Sequence, residues 1–153
     1  MLESFDLTLG SYKEAIDHIP ESEWKKGEIA YLVPSRLIYH AVETGDYYTE
    51  AEDKFEWGYR FGVEYWRAKP EELPSKSQLM EYHIEVKTKI MECIGSMSDE
   101  ELLSKEKEFT WTGSTVLGRA LYLLSHYRQH LGEINAELRH RGLDRIKWRT
   151  LPG

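Results

Sequence analysis

The stretch STVLGRALYLLSHYRQHLGEINAELRHRG, residues 114–142, decides the fold class. Leu117, Leu121, Leu124, Tyr127, Leu131 and Leu138 recur in it at intervals of three, four or seven residues. That is the repeat of an amphipathic α-helix, in which positions three and four apart share a face. Gly142 supplies the expected stop, since glycine readily takes the left-handed backbone that ends a helix. The pattern predicts a helix from about Ser114 to Arg141.

Three further long helices follow from the same reasoning. Upstream, Ser75 or Ser77 is a candidate N-cap for a helix with Leu79, Met80, Ile84, Val86, Ile90, Met91, Ile94 and Met97 on a broad apolar face. Ser98 to Glu101 is a capping-box sequence and predicts a short extra helix. Pro34 suits the first turn of a helix running to about Thr49, where its missing N–H costs nothing. Another helix is expected from about residue 6 to His18, before Pro20. Period-two alternation is nearly absent, so the expectation is an all-α fold: four main helices, one short one, and a single domain over 1–153.

Composition fits that reading. The chain has 153 residues, 41% of them hydrophobic and 31% charged, enough for one core. No apolar run approaches the roughly 20 residues of a membrane span. The N-terminal MLESFDLTLG lacks a basic n-region and an apolar h-region, and the one cysteine, Cys93, has no partner in the chain. A cytoplasmic location is expected. A net charge of −7 argues against nucleic acid as a partner, although Arg139, Arg141, Arg145, Lys147 and Arg149 crowd the C-terminal end.

The histidines carry the chemistry. His126 and His130 are four apart in the last helix, so both imidazoles leave one face about 6 Å of rise apart and can converge on one ion. At about 100° per residue they fall at the margin of the leucine stripe, near Arg119, Glu133 and Glu137. A solvated polar edge and a metal cleft both fit that position. His40 sits at a similar margin beside Leu37, Ile38, Ala41, Val42 and Tyr48, which makes it the best third ligand. His83 competes for the role, but its place inside an apolar face suits a buried neutral histidine that forms a pocket wall or supports the site from behind. His18 and His140 fall at helix ends, where histidine is favoured for other reasons. HExxH is absent because the segment reads His126, Tyr127, Arg128, Gln129, His130. A di-iron bundle needs two ExxH motifs, and only Glu137 to His140 has that spacing.

SRLIYHAVETGDYY, followed by TWTGSTVLGRALYLLSHYRQHLGEINAELRHRG, resembles the DinB-like four-helix bundle superfamily in the histidine within the helix that begins at Pro34, the glycine turn before the last helix and the ending HxxxHLGEIN. The resemblance spans most of the chain and leaves residues 50–75 unmatched. It implies an up-down-down-up bundle with His40, His126 and His130 as ligands of one divalent metal ion, zinc or nickel. It also implies a thiol S-transferase or hydrolase, with a small-molecule substrate and in some members a low-molecular-weight thiol. Three neutral imidazoles would leave a coordination position open, with water or thiol as the reactive species.

From Tyr47 to Trp66, eight of twenty residues are aromatic, against 12% overall. Such rings either seal the bundle or a homodimer interface, or wall a pocket beside the metal, with Trp57 and Trp111 as candidate walls. The competing function is therefore a non-catalytic, ligand-binding or dimerising bundle that uses segment 47–66.

Overall fold

Among the described residues the computed structural model has six α-helices: α1 (Leu2–His18), α2 (Glu21–Trp24), α3 (Pro34–Tyr47), α4 (Lys76–Gly95), α5 (Asp99–Leu103) and α6 (Val116–His140). The structure describes residues 1–150, so the last three residues of the domain expected over 1–153 lie outside the described residues. The fold is all-α. Its one β feature among the described residues is an isolated bridge between Lys105 and Thr115. None of the helices described is long and apolar enough to cross a membrane.

Local chemistry sets several boundaries. Ser75 caps α4 in a capping box with Gln78, and Ser98 caps α5 in one with Glu101. Thr115 accepts the Gly118 N–H at the start of α6, and Pro34 occupies the first turn of α3. α1 begins at Leu2, earlier than the sequence pattern suggests. No side chain caps it, so the sequence carries no start signal. Its first turn is held instead by Phe5, which is fully buried.

The four long helices share one core. α1 packs on α4 and α6, and α3 packs on the same two. Phe5, Leu9, Leu37, Val42, Val86 and Ile90 meet in the interior, where removal of apolar surface from water is the main stabilising term. The Tyr12 hydroxyl donates to the Tyr127 carbonyl at 2.7 Å, tying α1 to α6. Inside α3, Asp46 is fully buried. It accepts hydrogen bonds from Tyr59, Tyr82 and Lys89 at 2.6, 2.7 and 2.7 Å, so its charge is paired as burial requires.

Two predicted faces are corrected. In α6 the buried residues are Ala120, Leu123, Tyr127, His130, Leu131, Ile134, Glu137 and Leu138. Leu121 is 50% exposed. The apolar run 121–124 fits more than one face, and the inward one is continuous with Tyr127 and Ile134. In α4, Ile84 points outward while Tyr82 and His83 take places in the core.

Between α3 and α4 the chain has only short 3-10 turns at Glu52–Lys54 and Pro70–Glu72. Arg36 on α3 holds this segment by donating to the carbonyls of Tyr65 and Ala68. Glu43, two turns further along, accepts the Gly58 N–H at 2.6 Å. Gly58 has φ +82°, a conformation that glycine adopts without strain. α3 thus positions the whole aromatic segment.

Candidate metal centre

The Nε2 atoms of three imidazoles from two helices point at one another. His126 Nε2 lies 3.1 Å from that of His40 on α3 and 3.0 Å from that of His130. The three residues each offer a ring nitrogen within 4.8 Å of the others. Each pair of rings meets edge-on, with interplanar angles of 75°, 76° and 84°. His130 is more buried than the leucine stripe suggests, at 5% exposure, while His40 and His126 are half-buried.

Their surroundings determine which nitrogen is available. His130 Nδ1 lies 2.6 Å from Glu133 Oε2. Burial pushes the Glu133 carboxyl up, but bonds from Tyr31 and His130 outweigh it and the net shift is downward. An ionised acceptor there keeps the proton on Nδ1 and leaves the Nε2 lone pair facing inward. Burial first, and then the neighbouring imidazoles, push His40 down to about 3. Burial first, and then His130, push His126 down to about 4. Both rings are neutral at pH 7.

Two imidazole nitrogens that both turn a lone pair inward repel unless a proton or a metal cation lies between them. Tetrahedral bonds of ~2.0–2.1 Å to zinc would set ligand nitrogens ~3.3 Å apart, within a few tenths of the two separations observed. His126 Nδ1 is buried without a hydrogen-bond partner, so the capacity of that ring is directed through Nε2. The donor set fits one divalent ion of the kind imidazole prefers, zinc or nickel among them.

Sequence reasoning noted Glu133 only as a neighbour on the helix. The signal for its role was its spacing of three from His130, which places it on the same face. Tyr65 was seen as one of eight aromatic residues. It covers His40, with ring centroids 4.3 Å apart. Tyr31, beside the Glu133 carboxylate, is pushed up to about 12 by burial and by that neighbour.

The other candidates lie elsewhere. His83 is 1% exposed, stacks on Tyr12 at 6.4 Å, and is not one of the three converging rings. Burial pushes it down to about 4, so it is a neutral core residue. Trp57 packs on Tyr47 and reaches His40 only through Tyr65. Trp111 is 52% exposed and donates its indole N–H to the Tyr48 hydroxyl at 3.1 Å. His18 and His140 end α1 and α6, away from the cluster.

No protein-family model and no curated protein matches this chain. Among solved structures it is similar to a conserved protein of Enterococcus faecalis. The two share 16% sequence identity with a TM-score of 0.70, covering 90% of this chain and 92% of the other. That likeness is one of fold alone.

Proposed function

We propose that this chain is a DinB-like four-helix bundle of up-down-down-up topology that holds one divalent ion, zinc or nickel, on His40, His126 and His130. In this reading it is a metal-dependent enzyme, a thiol S-transferase or hydrolase, acting on a small molecule in the cytoplasm. The observation that carries the reading is the pair of Nε2 to Nε2 separations of 3.0 and 3.1 Å, which brings one ring nitrogen from each of three histidines together.

When bound, such an ion would polarise an incoming water or thiol and lower its pKa toward neutrality. The chain's own residues do the rest. Glu133 keeps the proton of His130 on Nδ1 and fixes the plane of that ring. Tyr65 shields the face of His40 from water. Each histidine commits its lone pair inward, so none serves as a general base. Tyr31, 48% exposed and beside Glu133, can hold a proton at the solvent side.

The deciding experiment is elemental analysis of protein purified without chelator. One equivalent of zinc or nickel is expected, with none in His126→Ala, and loss of thiol-dependent turnover of an electrophile on metal removal. Protein that takes up neither metal on remetallation overturns the reading. One observation favours the non-catalytic, dimerising alternative: Trp111, Leu121 and Tyr122 are 52%, 50% and 41% exposed, an apolar surface suited to a second copy. That alternative prevails if histidine substitutions leave metal content unchanged while Trp57→Ala or Trp111→Ala abolishes ligand binding or dimerisation.

A further inference from the structure

A groove of about 270 Å³ lies between α1, α6 and the segment 145–149. At about 100° per residue, its α6 residues Arg128, Gly132, Asn135 and Arg139 fall opposite His126 and His130. Its outer wall is built by specific bonds. Asn135 accepts the Ile146 N–H at 2.7 Å and donates to the Ile146 carbonyl at 3.3 Å. Ile146 is 1% exposed, and Arg149 is tied to Glu14 on α1 at 2.6 Å.

The lining is basic and apolar together. Arg128, Arg139, Arg145 and Lys147 face the groove, no acidic residue lines it, and among the described residues these four form no salt bridge. This occurs in a chain of net charge −7. The floor is Leu7 and Leu131. Trp148 stands at the rim, 71% exposed, with the Arg128 guanidinium 5.6 Å from its ring centroid.

Gly132 adds an independent observation. A glycine inside a helix destabilises it relative to alanine, and such a residue usually yields to a close neighbour. Here an added Cβ would meet nothing within 4 Å. What the missing side chain keeps open is the groove.

We infer that this groove binds a small organic anion, a carboxylate or phosphate ester on a short apolar body. The arginines take the head group, since their planar forks match carboxylate and phosphate oxygens. Leu7, Leu131 and Trp148 cover the body. The volume lies just below the roughly 300–1,000 Å³ of typical small-molecule pockets, which suits a short chain or one ring.

The test is titration calorimetry at fixed ionic strength with octanoate, octyl phosphate, octanol and inorganic phosphate. At least one of the two amphiphiles should bind about tenfold tighter than octanol or inorganic phosphate, because each half of the lining contributes. Gly132→Leu, and the double variant Arg139→Gln with Arg145→Gln, should each weaken it about tenfold while the circular dichroism and melting temperature hold. His126→Ala should bind as the wild type does, which separates this site from the metal reading. Failure of both amphiphiles to bind, or binding indifferent to both sets of substitutions, overturns the inference. So does a single-stranded oligonucleotide that displaces octyl phosphate at lower concentration, because the surface would then be one for nucleic acid.

Discussion

His130 Nδ1 and Glu133 Oε2 stand 2.6 Å apart, less than one turn along α6. The contact orients the His130 ring and fixes its tautomer, so under the proposed metal reading its loss should be felt in metal affinity more than in folding. Glu133→Gln should weaken zinc or nickel binding about 10–100-fold, the usual cost of losing such a partner behind a metal ligand. Competition against a chromophoric chelator measures it. Unchanged affinity would show that the pair is incidental.

If the proposed ion is bound, it should also stabilise the fold, because the three histidines come together only in the native state. At free metal about a hundredfold above the dissociation constant the gain is about 2.7 kcal/mol. Differential scanning calorimetry with and without chelator should show the melting temperature fall on metal removal. His40→Ala, His126→Ala and His130→Ala should lose that response. A metal-dependent shift that survives all three substitutions places the ion elsewhere.

Gly45 on α3 faces Tyr127 on α6, and a Cβ there would overlap the Tyr127 hydroxyl and lie 3.0 Å from Ile90 Cδ1. Gly45→Ala should therefore destabilise by about 1–3 kcal/mol, as overpacking does, even though alanine is the better helix former by about 1 kcal/mol. The Tyr127 hydroxyl has no hydrogen-bond partner, so Tyr127→Phe alone should stay within about 1 kcal/mol of the wild type. Combining the two should recover part of the loss in urea denaturation. Additive effects would mean the contact is not the cause.

Burial pushes the Glu43 carboxyl up to about 7, against the Gly58 and Tyr39 hydrogen bonds that pull it down. Its ordinary value is 4.5, so the folded state binds this proton more tightly than the unfolded chain. Glu43 then subtracts stability as pH rises from about 4.5 to about 7, and the penalty is constant above that. Relative to wild type, Glu43→Gln should gain about 2 kcal/mol between pH 5 and pH 8. Chelator in both samples removes any metal contribution. A difference that does not vary with pH would mean the carboxyl is ionised throughout.

Much of the fold was legible because helices announce themselves locally. The serine at 75 and the one at 98, the proline at 34 and the glycine at 142 mark boundaries through backbone hydrogen bonds that depend on residues three or four away. The inward face of α6 was less legible. Leu121, Tyr122, Leu123 and Leu124 are all apolar, and only tertiary packing selects Leu123, which lines a small cavity with Ile90 and Ile94 of α4. The leucine repeat therefore puts His130 at a margin, although it is almost fully buried.

The sequence by itself determined the all-α class, the helical spacing that puts His126 and His130 on one face, and the unusual aromatic content of 47–66. These follow from chemistry between residues close along the chain. Tertiary structure alone decided that His40 from α3 comes within 3.1 Å of His126, that Tyr65 rather than Trp57 or Trp111 covers it, and that His83 stays in the core beside Tyr12. It also brought Arg139, Arg145 and Arg149 into the lining of a groove, while Arg141 pairs with Glu137 and Glu23. Those contacts join residues tens of positions apart, and their geometry depends on how whole helices pack.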